Sequence, residues 1–255
     1  MLEVRDLEVA FGPVAPLSGV SFSLAKGETL GIVGESGSGK SLTAMSVLGL
    51  LPLSGGRITA GSIMFDGQEL TKLTEPAYRK LRGGRIGLIT QNPMTSLDPL
   101  QKIGPHVDAV AVLHLGMTRT QARARTVEIL GTLRIPEPVL ICDRYPHQMS
   151  GGMKQRIVIA MALAADPDVL VADEPTTALD VTVQAQIIRL LDDLVKERDL
   201  ALVLITHDMS VVAQTCDKVV VMYAGRVIEH GPVTAIFDAP QHPYTQALID
   251  CIPKG

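Results

Sequence analysis

Residues 34–41 read Gly34-Glu35-Ser36-Gly37-Ser38-Gly39-Lys40-Ser41, and no other stretch limits the fold as strongly. They follow the apolar run Thr29-Leu30-Gly31-Ile32-Val33 and precede residues 41–51, whose apolar positions have helical spacing. A buried strand, a glycine-rich turn and a helix in that order make a phosphate-binding loop. Glycines let backbone N–H groups converge on phosphate oxygens, and the helix that follows aims its positive end at the same point. Lys40 adds a point charge for the β- and γ-phosphates, and the Ser41 hydroxyl is placed to ligate Mg²⁺. The nucleotide-binding set read here is Gly34, Glu35, Ser36, Gly37, Ser38, Gly39, Lys40, Ser41 and Leu42. An accidental Gly/Ser match is the plain alternative, and the flanking strand and helix argue against it.

The rest of the chain fits an α/β fold around that loop. Short strand patterns at 2–4, 7–11 and 20–24 precede the run at 29–33, and a further pair is suggested at 61–67 and 85–90. From about 103 to 165 the pattern is helical, with 121–133 the clearest amphipathic segment. Strand-like runs return at 169–172, 201–206 and 218–223, the last leading into 226–229, with a helical stretch at 183–197. Strands alternating with helices predict βαβ units and a parallel sheet. Hydrophobic residues make up 46% of the chain but aromatics only 3%, so aliphatic side chains must build the core, as they do in covered parallel sheets. The expected architecture is a P-loop NTPase core with a parallel sheet, an antiparallel β subdomain and an inserted α-helical subdomain. All of 1–255 is read as one domain, with 1–91 and 166–255 as the core and 92–165 as the helical insert.

A phosphate loop needs carboxylates opposite it. Val169-Leu170-Val171-Ala172-Asp173-Glu174 delivers two adjacent acids to the end of a buried strand, the edge where α/β folds bind ligands. Asp173 is the candidate Mg²⁺ residue, acting through the ion's water shell, and Glu174 the group that polarises the attacking water. A strand ending in Asp-Glu is by itself an ordinary exit into a turn.

Other classes are disfavoured. With 23 basic and 27 acidic residues and no long run of either sign, no basic stripe for nucleic acid is evident. The three cysteines, Cys142, Cys216 and Cys251, are dispersed, which speaks against a disulfide framework or a zinc site and fits a reducing cytosol. The N-terminus lacks the apolar core of a signal peptide, and the most apolar stretch, 157–165, stops at Asp166-Pro167, so neither secretion nor a membrane span is expected.

Ser150-Gly151-Gly152-Met153-Lys154-Gln155-Arg156, just ahead of the Asp173-Glu174 strand, resembles the signature sequence of ABC ATPases, with Met149 where many members have Leu. Gln91 resembles the Q-loop glutamine, Ala178-Leu179-Asp180 the D-loop, His207 the switch histidine and Phe11 the adenine-stacking aromatic. The resemblance covers essentially the whole chain and implies the ABC ATPase fold. It implies ATP and Mg²⁺ as cofactors, Glu174 and His207 as catalytic residues, and Ser41, Gln91 and Asp173 at the metal. Ser150 and the amides of Gly151 and Gly152 open a helix and so form an anion site. The family implies that this site, with Asp180, closes on the ATP of another subunit in a head-to-tail dimer.

The stretches Gln91-Asn92-Pro93-Met94-Thr95-Ser96-Leu97-Asp98-Pro99-Leu100, 145–155 and His242-Pro243-Tyr244-Thr245-Gln246-Ala247-Leu248 are similar to those of peptide/nickel importer ATPases. That resemblance implies a second, different ABC ATPase subunit as partner, two membrane permeases, an extracytoplasmic substrate-binding protein and no nucleic acid. It places the chain peripherally on the cytoplasmic face of the bacterial inner membrane, moving nickel, a nickel chelate, or a di- or oligopeptide. The end at Gly255, short of a cysteine-containing extension, tilts this expectation toward nickel-type members. The alternative is a soluble ABC ATPase acting on nucleic acid or ribosomes; the usual coiled-coil inserts, zinc sites or fused second cassette of such proteins are not evident.

Overall fold

A computed structural model describes residues 1–252. The chain divides into two compact units, Met1–Tyr78 with Val195–Gly255, and Arg79–Leu194. The first unit holds strands β1 (Leu2–Phe11), β2 (Val14–Leu24), β3 (Thr29–Val33), β4 (Arg57–Phe65) and β5 (Gln68–Glu69). The second holds β6 (Ile86–Ile89) and β7 (Val169–Asp173). Strands β8 (Ala201–Thr206), β9 (Lys218–Tyr223) and β10 (Arg226–Pro232) return to the first.

In the first unit, β2, β1, β4 and β5 lie in that order as an antiparallel sheet. Leu2, Val4, Leu7 and Val9 of β1 are buried, the half-buried pattern of a sheet with one covered face. The sequence suggested two strands broken at Arg5-Asp6; they are one strand with a bulge. Asp6 adopts φ 45°, donates its N–H to Ser21 Oγ at 2.7 Å, and shifts the register between Val4 and Leu7. The strand pattern at 20–24 starts earlier, at Val14: Pro16 and Gly19 lie in β2, where the register is again irregular and a missing N–H is tolerated.

Strand β3 pairs in parallel with β8 and with β9, from Thr29 opposite Leu202 to Val33 opposite Thr206 and Val221. Every residue of β3 and β8 is buried, which accounts for their unbroken apolar runs. Strand β9 turns through Ala224-Gly225 into the antiparallel β10. Helices Met209–Thr215 and Val233–Asp238 contribute Met209, Val212, Val233 and Ile236 to a cluster with Val33, Val219 and Val221.

In the second unit, β6 pairs in parallel with β7, Ile86 opposite Val169 and Ile89 opposite Ala172. Helix Gly151–Leu163 packs on β6, with helices Ile103–Leu115 and Arg119–Thr132 against it. The amphipathic stretch read at 121–133 starts slightly earlier, because Thr118 and Gln121 form a capping box. Asp108 clamps two of the helices: it takes Arg123 Nε and Nη2 at 3.0 and 2.8 Å and Thr126 Oγ1 at 2.6 Å. Arg125 Nε reaches Ala164 O at 2.7 Å and Arg156 Nη1 reaches Leu133 O at 2.6 Å. Arg85 meets Asp168 at 2.6 Å, beside the start of β7. The compact second unit includes β6 and β7 as well as the helical stretch of 92–165: β6 packs on helix Gly151–Leu163, and β7 pairs with β6.

Ile32 is fully buried in the middle of β3. Truncation there removes apolar contact and leaves a cavity, so Ile32→Ala is expected to lower stability by about 2–5 kcal/mol. Urea denaturation measures it, and a change below about 0.5 kcal/mol would mean that β3 is not at the heart of the core.

Candidate functional site

The first unit carries the phosphate-type loop, and its backbone is bent in ways that glycine alone readily permits. Gly34 has φ 150°, Gly37 82° and Gly39 103°. A Cβ on Gly34 would lie 2.2 Å from Met222 O, and one on Gly39 would lie 2.3 Å from Leu17 Cδ2. Gly39 is the N-cap of helix Lys40–Val47, and no side chain accepts its first amides. The positive end of the helix, which favours an anion, thus lies at the loop with no capping side chain over it. Ser38 Oγ is buried and has no partner among the described residues, as suits a hydroxyl facing a polar ligand.

Lys40 is 5% exposed, and its Nζ donates to Gly34 O at 2.7 Å and to Glu35 O at 2.8 Å. Its charge is thus held at the mouth of the loop by carbonyls it can exchange for anionic oxygens. Ser41 is exposed in the first turn of the helix and Leu42 is half-buried behind it; Glu35, Ser36 and Gly37 are exposed. The β9–β10 turn braces the loop from outside, since Gly225 N–H donates to Ser38 O at 3.0 Å and Gly225 O accepts from Ser18 N–H at 3.0 Å.

Two other expected residues belong to this unit. Phe11 ends β1, half-buried, with its ring over Gly56, where a Cβ would lie 2.5 Å from Phe11 Cζ. His207 follows β8 and is exposed. Its turn is fixed by Asp208, whose N–H donates to Thr206 Oγ1 at 3.0 Å and whose carboxylate caps helix Met209–Thr215 through Ser210 N–H at 2.8 Å.

In the second unit, the parallel register of β6 and β7 sets Gln91 and the Asp173-Glu174 pair at neighbouring strand ends. Gln91 Nε2 donates to Glu174 Oε2 at 2.9 Å, and Thr177 Oγ1 donates to the same oxygen at 2.9 Å. Glu174 itself adopts φ 46°, a left-handed conformation that costs a non-glycine residue of order 1 kcal/mol and that clusters at working sites.

Helix Gly151–Leu163 begins with Ser150 as its N-cap, the hydroxyl accepting from Met153 N–H at 3.3 Å. Ser150 and Gly151 are exposed. A Cβ on Gly152 would lie 2.7 Å from Val183 Cγ1, and one on Gly151 would lie 3.5 Å from Leu179 Cδ2. The stretch around Asp180 is thus packed against Ser150-Gly151-Gly152. Asp180 Oδ1 accepts from Val183 N–H at 3.0 Å, and Gln184 Nε2 ties Thr176 O and Leu179 O at 3.0 and 3.1 Å.

Three contributors had no assigned role in the sequence reading. Thr177 and Gly225 have no motif to flag them, whereas Tyr244 lies in the stretch 242–248 quoted for its resemblance; its hydroxyl accepts from Glu35 N–H at 2.9 Å.

A family model described as "ABC transporter" matches residues 17–177, and one described as "Oligopeptide/dipeptide transporter, C-terminal region" matches 228–255. The chain is 49% identical to the oligopeptide transport ATP-binding protein OppD of Bacillus subtilis, over 99% of this chain and 72% of that protein. It is 47% identical to the dipeptide transport ATP-binding protein DppD of Escherichia coli, over 100% of this chain and 79% of that protein. Among solved structures it is similar to the ATP-binding cassette MJ0796 in a dimeric post-hydrolysis state with ADP and Pi, at TM-score 0.80 and 28% identity, covering 91% of this chain and 99% of that one. It is likewise similar to cbiO1 from Clostridium perfringens, part of the transporter complex cbiONQ, at TM-score 0.80 and 29% identity, covering 93% and 90%.

Gly225 has φ 79°, and a Cβ there would lie 2.0 Å from Pro16 O, a backbone atom that cannot swing away. Gly225→Ala is therefore expected to lower stability by about 2–4 kcal/mol. Chemical denaturation measures this, and a loss below about 0.5 kcal/mol would mean that the turn relaxes without disturbing its neighbours.

Proposed function

Because the chain belongs to the ABC transporter family of ATP-binding proteins, its activity being ATP hydrolysis, we propose that it powers an importer of oligopeptides or dipeptides. The observation that carries the substrate class is the match of residues 228–255 to the C-terminal region of oligopeptide/dipeptide transporters, joined by the names of the relatives. The nickel-type reading, drawn from where the sequence stops, has no counterpart among those names. A role on nucleic acid or ribosomes is disfavoured for the same reason.

The loop amides, Lys40 and the uncapped helix N-terminus suit a polyphosphate, and Phe11 offers a ring for the base. Magnesium, when bound, neutralises phosphate charge, and Ser41, Asp173 and Gln91 present the hydroxyl, carboxylate and amide oxygens that such a hard cation prefers. Glu174 is the base that polarises the attacking water; Gln91 and Thr177 hold its carboxylate, and His207 donates to the γ-phosphate side. Ser150, Gly151, Gly152 and Asp180 act on the ATP of a second, different ATPase subunit. The MJ0796 cassette is itself dimeric in its solved structures, which supports that arrangement. Two permeases and an external binding protein complete the assembly, with this chain peripheral on the cytoplasmic face of the cell membrane. Among the described residues no helix is long and apolar enough to cross a bilayer.

The defining experiment pairs binding with turnover. Glu174→Gln is expected to keep Mg-ATP affinity within about threefold while slowing hydrolysis by about 100-fold or more, and Lys40→Ala to lose binding. Undiminished hydrolysis in Glu174→Gln would remove Glu174 from its role.

The trans assignment has its own test. Ser150→Arg should leave ATP affinity of the isolated chain nearly unchanged, apart from about 1 kcal/mol of stability lost with the N-cap. In the assembled transporter hydrolysis should collapse, because the arginine obstructs closure over the γ-phosphate. Loss of binding by the isolated chain, or full activity of the complex, would show that Ser150 does not act across a dimer.

A further inference from the structure

The helix Pro243–Asp250, the last of the described residues' helices, is far in sequence from the phosphate loop, yet it supplies a hydrogen bond to it. Tyr244 Oη accepts from Glu35 N–H at 2.9 Å. That N–H belongs to the peptide group whose carbonyl is Gly34 O, and Gly34 O accepts from Lys40 Nζ at 2.7 Å. A trans peptide is planar, with its N–H and C=O pointing in opposite directions. Fixing one end of the group therefore fixes the direction of the other. Gly34, at φ 150°, lacks the Cβ that would otherwise restrict rotation of this peptide.

Tyr244 is itself held firmly. Its N–H donates to His242 Nδ1 at 3.1 Å. The carboxylate of Glu229, on β10, accepts from Gln241 N–H at 2.7 Å and His242 N–H at 3.1 Å, tying the approach to the helix onto the sheet. The Tyr244 ring lies 4.8 Å from that of Tyr223, at the end of β9, tilted by 54°. Tyr244, Leu248 and Ile249 pack on the cluster that includes Val33, the last residue before the loop. Burial pushes the Tyr244 pKa up, so the group stays a neutral phenol at ordinary pH.

We propose that Tyr244 is a positioning residue of the phosphate loop: its hydroxyl sets the Gly34–Glu35 peptide, and through that carbonyl the place from which Lys40 engages nucleotide. The inference rests on the reading that Mg-ATP binds this loop. It gives the C-terminal segment, 228–255, a route to nucleotide affinity that needs no contact with nucleotide.

The test uses the full chain and Mg-ATP. Tyr244→Phe keeps the ring and removes the hydroxyl; it is expected to raise the Kd for Mg-ATP about fivefold, the equivalent of one ordinary hydrogen bond, and to speed hydrogen exchange at the Glu35 amide. Leu248→Ala weakens the packing of the same helix without touching the hydroxyl; it should lower Tm more than Tyr244→Phe does, yet leave Kd within about twofold. A Tyr244→Phe affinity equal to that of wild type, or a Leu248→Ala loss of affinity as large as that of Tyr244→Phe, would overturn the positioning role. Failure of the wild-type chain to bind Mg-ATP would instead remove the functional reading and this inference together.

Discussion

A loop that is to face a polyphosphate must leave the positive end of its helix uncovered by capping side chains, and the first unit is arranged around that constraint. A helix start without a side-chain cap, three glycines at positive φ and a lysine resting on two of the loop's own carbonyls make up that loop. Such a loop has few interactions of its own to hold its shape, so its shape comes from outside: β3 between β8 and β9 below it, the Gly225 turn on one side and Tyr244 on another. The fully buried apolar strands are what make that external support stiff.

The second unit solves a different problem, that of keeping a carboxylate oriented. Gln91 and Thr177 each donate a hydrogen bond to the same Glu174 oxygen, which directs the group. Asp173 ends β7 while Glu174 takes the left-handed turn after it, so the two adjacent acids sit in different backbone settings.

Legibility from sequence followed how local the cause was. The strand, glycine loop and helix of residues 29–47, the acids at the end of β7 and the Ser-Gly-Gly helix start are each set within a few residues, and each is present where the pattern puts it. The bulge at Asp6 was read as a break, because a polar pair inside a strand looks like a turn until Ser21 is brought opposite it. Thr177 has an ordinary side chain whose importance lies in a bond made in space. Gly225 and Tyr244 reach Ser38 and Glu35 from the other end of the chain, Tyr244 from 209 positions away, and nothing in the local pattern encodes such distant partners.

The clamp at Asp108 has a mechanical meaning. With a bidentate arginine and a threonine hydroxyl on one carboxylate, helices Ile103–Leu115 and Arg119–Thr132 cannot shear past each other without breaking several charge-assisted bonds at once. Arg125 and Arg156 then latch the second of these helices, through carbonyls, to the helix that starts at Ser150. Displacing any one of the three helices alone would therefore have to break bonds to its neighbours, including those of the helix that Ser150 caps.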